Sequence, residues 1–260
     1  VVVDDAHWLD DPSLSALSFI AARITDHPIV LVVAGRPVDG SAPPCPTTVL
    51  RPLGDDDAKG LLGELGVSDP VVAARVVDQV GGTPLLLRAA VDALDAHQRA
   101  GRAPLPDVIA MPPSVGRLAD ERLAYLDPAS RLAALVAATA PDGDLGVVAA
   151  ALHVLGGDAH QIEPVEGAGI VEVSDRAVTF SHPALRSCAY HGPSPADRRR
   201  VHGAIASVLG DQVARAWHLG QAALGPDREA ASELSTSGAT LLQRHAPVEA
   251  ARHLERAALL

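Results

Sequence analysis

The chain has 260 residues, enough for one large domain or two to three small ones, and its 48% hydrophobic content can supply a sizeable core. Only 2% of the residues are aromatic, so that core must be aliphatic and rich in alanine, which favours helices. A net charge of −11 argues against nucleic-acid binding by the chain as a whole, and no uncharged apolar run approaches the roughly eighteen residues of a membrane span.

The start has neither Met nor a basic segment ahead of an apolar run, which predicts a cytoplasmic protein without a signal peptide. The two cysteines, Cys45 and Cys188, form no metal or disulfide pattern and suit a reducing compartment. Charge is uneven: 15 acidic against 8 basic residues in 1–110, 10 against 5 in 111–192, and 7 against 8 in 193–260. The basic surplus centres on Arg198-Arg199-Arg200, which also suits an ordinary solvated helix face.

Val1-Val2-Val3 is a β-branched run that stops abruptly at Asp4-Asp5, and it reads as a buried strand of a parallel sheet. Such a strand releases the chain at its carboxyl end, where the ligand sites of α/β sheets lie. One carboxylate there can hold Mg²⁺ through water, and the next can polarise an attacking water. That is the Walker B arrangement of a P-loop nucleotidase, although a plain acidic strand end uses the same residues. Because the strand opens the chain, the earlier part of such a domain is expected outside this sequence.

Asp11-Pro12-Ser13 looks like a helix start, and a helix is expected from Leu14 to about Thr25, broken at His27-Pro28. Ile29 to Ala34 is a second continuous apolar run, ending in Gly35-Arg36-Pro37. Strand, helix and strand with short connections make a βαβ unit. Residues 38–48 read as loop, and Val49-Leu50 as a short last strand. From Asp55-Asp56-Asp57 the pattern turns helical, with Leu61, Leu62 and Leu65 at helical spacing. Val71 to Val80 forms a second helix, closed by Gly81-Gly82, and Leu85 to about Ala100 a third, closed by Gly101. Ala103 to Pro113 holds four prolines and reads as a linker.

Helices are expected near Val115–Tyr125, Pro128–Ala138, Leu145–Leu152 and Ala159–Gly167. Ile170 to Val173 and Ala177 to Phe180 alternate across a short Asp175-Arg176 turn, a hairpin pattern. Helices followed by such a wing compose a winged helix. Ser194-Pro195-Ala196-Asp197 starts the last region, where 212–224, 228–244 and 247–258 read as consecutive helices with small residues at their contacts. Packed helical hairpins of the solenoid kind follow.

Two further groups of residues carry chemistry. Arg36 stands at the tip of the second strand, where P-loop ATPases place a polar or cationic sensor of the γ-phosphate; a surface ion pair is the other use of such an arginine. In Gly81-Gly82-Thr83-Pro84-Leu85-Leu86-Leu87 the glycines end one helix and Pro84 can begin the next, a tight turn that also suits a lid closing over adenine. The histidines have no ligand spacing, and no catalytic triad can be read from residue order.

The stretches VVVDDAHWLDDPS, IVLVVAGRP, GGTPLLL, MPPSVGRLADERLAYLDPASRLAALVAATA and VTFSHPALRSCAY occur in the order found in the signal-transducing ATPases with numerous domains. More narrowly, nearly all of the chain resembles the large ATP-binding transcriptional regulators of the LuxR family. The resemblance implies ATP and Mg²⁺ as cofactors, with Asp4 supporting the metal and Asp5 assisting water activation. It implies that Arg36 is the sensor, and that Gly82 and Pro84 form the lid motif near adenine. His182 would face the nucleotide from the winged helix, or else simply pack the wing at a helix start.

The implied architecture is α/β followed by all-α. Residues 1–105 are expected to be the end of a P-loop ATPase domain with its helical lid, 106–192 a winged helix, and 193–260 the start of a TPR-like array. The array would take an inducer or protein partner, and DNA would be bound only by a domain outside this chain. No GxxxxGK[ST] occurs, and the only lysine is Lys59. A central piece of a longer switch is therefore expected, inactive by itself. The alternatives are a sensor ATPase coupled to a kinase, cyclase or other effector enzyme, and a nucleotide-free helical scaffold.

Overall fold

A computed structural model describes residues 1–24, 27–35 and 46–260. The chain is mostly helical, with two two-stranded sheets among the described residues, and divides into the compact units Val1–Arg51 and Pro52–Leu260. The expected boundary at residue 105 is not where this division falls.

In the first unit β1 (Val2–Val3) pairs in parallel with β2 (Val32–Val33), Val2 opposite Val32 and Val3 opposite Val33. Between them in sequence lies α1 (Asp11–Ala21), the crossover that a parallel pair requires. It begins three residues before Leu14 because Asp10 caps it, accepting from the Ser13 N–H at 2.7 Å, while Pro12 sits in its first turn. The strand is not buried as expected: Val1 and Val2 are 74% and 75% exposed. A parallel strand is buried only when covered on both faces, and among the described residues β1 has one strand neighbour and α1 contributes no buried side chain. Val49-Leu50 joins no sheet, and Leu50 lies 91% exposed.

The second unit opens with α2 (Asp55–Glu64), α3 (Pro70–Val80), α4 (Pro84–Ala93) and the short α5 (Ala96–Arg99). The three aspartates at the start of α2 favour its dipole, and Asp69 caps α3 through the Val71 and Val72 N–H groups. The helix expected from Leu85 to Ala100 breaks at Asp95. There the side chain accepts from His97 and Gln98 while Gln98 returns a bond to the Asp95 N–H, a capping box that outcompetes helix continuation.

The proline-rich stretch after α5 is not a loose linker. Leu105, Val108 and Ile109 are buried, and the Gln79 amide grips it twice, donating to Pro106 O at 3.4 Å and accepting from Ile109 N at 3.0 Å. Prolines keep the segment out of a helix, but its leucine, valine and isoleucine still seek burial.

Next come α6 (Pro113–Ala124), α7 (Pro128–Thr139), α8 (Leu145–Val154) and α9 (Glu163–Gly167). The antiparallel hairpin of β3 (Val171–Val173) and β4 (Val178–Phe180) follows, then α10 (Pro183–His191). Helix α7 is the axis of this core, with Ala133 to Ala138 all buried. A second apolar cluster joins α2, α3 and α4, and Met111 and Val115 pack against both clusters. The α2–α4 helices and the α6–α10 region therefore share apolar contacts instead of folding apart.

The last four helices are α11 (Pro195–Val208), α12 (Gln212–Ala222), α13 (Arg228–Gln243) and α14 (Pro247–Ala258), each packed on the next. They form two hairpins, and Ala216-Trp217-His218-Leu219-Gly220-Gln221-Ala222-Ala223-Leu224 matches Ala251-Arg252-His253-Leu254-Glu255-Arg256-Ala257-Ala258-Leu259. Small residues do sit at the contacts: a Cβ on Gly220 would lie 2.6 Å from Leu234 Cδ1, and one on Gly238 would lie 2.8 Å from Leu254 Cδ2.

Candidate functional site

The chain leaves β1 through Asp4 and Asp5, both exposed. Asp4 Oδ1 accepts from the Asp5 N–H at 2.9 Å. Asp5 adopts the left-handed conformation (φ 51°, ψ 40°), which a short polar side chain tolerates better than most. This turns the chain into a 3₁₀ turn at Ala6–Trp8, and Ala6 N donates to Ala34 O at 2.9 Å, tying the turn to the end of β2. His7 Nδ1 stands 3.9 Å from Asp5 Oδ1. Adjacent carboxylates are hard donors of the kind Mg²⁺ takes, directly or through water. The phosphate side has no counterpart here, since Lys59 lies in α2 and no glycine-rich loop carries a lysine. Arg36 lies outside the described residues.

Gly82 and Pro84 sit together in the α3–α4 turn and have local reasons to be there. Leu53 N donates to Gly82 O at 2.9 Å, and a Cβ on Gly82 would meet Leu53 O at 2.0 Å. Only glycine lets the segment entering α2 approach this closely. Pro84 occupies the first turn of α4 behind Thr83. His182 is exposed and caps α10, its Nδ1 accepting from Ala184 N at 3.2 Å. No hydrogen bond or ion pair among the described residues joins Gly82, Pro84 and His182. Asp4 and Asp5 belong to the other compact unit.

A second polar site carried no sequence signal that the reading above used. It is a cavity of about 370 Å³ between α3, the proline-rich segment, the end of α7, α10, and the helices α11, α12 and α14. Asp107 of the proline-rich segment accepts from Trp217 Nε1 at 2.8 Å and pairs with Arg252. The Arg252 guanidinium lies over the Trp217 ring, 4.1 Å from its centroid, so one carboxylate is held by equivalent positions of two successive hairpins. Burial alone would raise the Asp107 carboxyl, but the Arg252 charge and the bonds from Arg252 and Trp217 outweigh it and hold it below the usual range.

Deeper in the wall, His202 Nδ1 and His218 Nδ1 are 2.9 Å apart, and His202 Nε2 is 3.1 Å from the Tyr190 hydroxyl. One Nδ1 must donate and the other accept, so this pair is built for neutral rings. His253 Nδ1 meets Ser237 Oγ at 2.9 Å. Burial presses His202 down to about 4, aided by His218, and burial does the same to His218. His253 also falls to about 4, through burial and then Arg252. Burial and then Asp107 raise the Tyr190 hydroxyl to about 12. Among the described residues no three metal-ligating side chains cluster.

The clue available in the sequence was the match of 216–224 to 251–259 at six of nine positions, which puts His218 and His253 at equivalent positions of a helical repeat. Searches against protein-family models, curated proteins and solved structures found no match to this chain.

Proposed function

We propose that the chain is a central part of an ATP-dependent transcriptional regulator of the signal-transducing ATPase type. The observation that carries this reading is the parallel β1–β2 pair with Asp4 and Asp5 at the carboxyl end of β1. In this reading residues 1–105 end a P-loop domain with α2–α5 as its lid, 106–192 form a winged helix whose wing is β3–β4, and 193–260 begin a TPR-like array. Asp4 would hold Mg²⁺ and Asp5 would orient water at the γ-phosphate, with Arg36, Gly82, Pro84 and His182 around the nucleotide. The bound ATP-Mg²⁺ would supply the free-energy difference between two arrangements, and slow hydrolysis would suffice for a switch. The reading requires a phosphate loop upstream and a DNA-reading domain elsewhere in the gene product.

The test uses a gene product carrying that loop. Asp5→Asn is expected to retain ATP, slow single-turnover hydrolysis and raise reporter transcription. Asp4→Asn is expected to weaken Mg-ATP binding and silence the reporter. Wild-type behaviour of both variants overturns the reading. The nine-residue match recurring at a 35-residue spacing in the two hairpins favours a second reading, a nucleotide-free scaffold working through α11–α14. That reading predicts a reporter indifferent to both variants but sensitive to substitutions on the array.

A further inference from the structure

The cavity around Asp107 has the volume of a small-molecule site. Its lining carries charges of both signs, and only Arg252 and Asp107 touch as an ion pair. Arg186 gives its Nε to Ala138 O at 3.3 Å and has no carboxylate within ion-pair distance among the described residues. Arg75, Asp78 and Asp142, at the exposed rim, likewise make no ion pair there. Asp211, also in the wall, spends Oδ1 on capping α12 through Ala214 N.

Arg186 is half-buried and faces this space without an ion-pair partner, so it loses hydration and gains little direct attraction, while Arg75, Asp78 and Asp142 stand exposed at the mouth. Arg186 feels this cost: burial lowers its affinity for the proton, while Asp107, Asp78 and Asp142 oppose the shift. A lone anion placed against Arg186 would be repelled by Asp78 and Asp142. A lone cation would suffer the reverse from Arg75 and Arg186. A molecule carrying both charges a few bonds apart would satisfy both sets.

We infer that this cavity binds a free α-amino acid, its carboxylate on Arg186 and Arg75 and its ammonium on Asp78 and Asp142. The walls come from α3, the proline-rich segment, α10 and the array, so an occupant favours the arrangement in which these parts converge. The site lies wholly within Pro52–Leu260 and does not rest on the nucleotide reading.

The test is thermal melting and calorimetry of the full chain against the twenty common amino acids. Acetate, methylammonium and phosphate serve as probes of a single charge. At least one amino acid is expected to raise the melting temperature and bind with a Kd below about 1 mM, whereas the single-charge probes do neither. Arg186→Gln should abolish the binding. That variant also loses a contact to Ala138, so the decisive variants are Arg75→Gln, at an exposed position, and Asp142→Asn, where asparagine keeps the left-handed backbone (φ 50°). Each should weaken binding at least tenfold with the melting temperature of the free protein unchanged. The inference is overturned if no amino acid binds below about 1 mM, if acetate or phosphate binds equally well, or if both rim variants bind as wild type does.

Discussion

Acidification from pH 7 to pH 5 should destabilise the helical array well before its carboxylates titrate. His202, His218 and His253 each hold a proton only below about 4 in the folded chain, against about 6.5 in the unfolded one. Folding therefore favours the neutral rings. Their stabilisation is fully present above about pH 6.5 and is lost as pH falls through 6.5 toward 4, because the unfolded state takes up protons the folded state refuses. Between pH 7 and pH 5 this amounts to at most about 2 kcal/mol for a well-buried ring, and to less for His253, whose surroundings screen it more. A domain's whole stability is about 5–15 kcal/mol, so the effect should be large. The groups facing these rings are Asp107, Arg252, Arg198 and Glu249, and the depressed Asp107 carboxyl loses its own contribution only below the ordinary carboxylate range. His191, lowered by burial, acts in the same sense; His160, raised by Glu163, acts in the opposite sense from the exposed surface. The assay is urea unfolding at pH 7, 6 and 5, followed by Trp217 fluorescence in a Trp8→Phe background. The double variant His202→Gln/His218→Gln, weaker at pH 7, should show a flatter pH profile. An unfolding midpoint that does not move between pH 7 and 5, or that moves equally in the double variant, refutes the reasoning.

Asp107→Ala strips Arg252, whose side chain is only 13% exposed, of its counter-charge and should cost about 3–5 kcal/mol in urea unfolding; Asp107→Asn, which can still accept from Trp217, should cost less. Gly82→Ala drives a methyl into Leu53 O and should break the Leu53–Gly82 bond, lowering stability by about 2–4 kcal/mol by the same assay. The Cys188 thiol, raised to about 12 by burial and then by Asp120, should resist a thiol-reactive dye at pH 8 in a Cys45→Ser background until denaturant is added. The 260-residue chain alone should bind Mg-ATP more weakly than about 1 mM by calorimetry, since no lysine-bearing glycine loop contributes its charge-assisted bonds.

Helix starts were legible because their chemistry is local. Asp69, Asp127, Ser194, Asp211 and Asp227 each cap the helix that follows them, and each is of a type that favours helix starts. The β3–β4 hairpin was legible for the same reason, its alternation surviving into the observed register. Burial was less legible. Val1 to Val3 had the composition of an inner strand, but cover is supplied by neighbours that composition does not report. The cavity residues were hidden for a related reason. Asp107 comes from a proline-rich stretch and Arg252 from a helix 145 positions later, and nothing in either neighbourhood marks the other. His182 caps α10 and Gly82 admits a close backbone approach, and residue type alone does not separate such local uses from a place beside a nucleotide.

Matching segments in the two hairpins also raise a problem of address. Helices α12 and α14 share the pattern Ala-x-His-Leu-x-x-Ala-Ala-Leu, so during folding either could compete for the other's berth. The positions that break the pattern discriminate. Gly220 admits Leu234 against the α12 backbone, whereas its equivalent Glu255 would fill that space with a charged side chain. Trp217 and Arg252 also differ, and Asp107 takes an indole N–H from one and a guanidinium from the other, donors of different size, shape and charge. A segment far upstream thus joins the two hairpins through one carboxylate, and each hairpin answers it with a different donor.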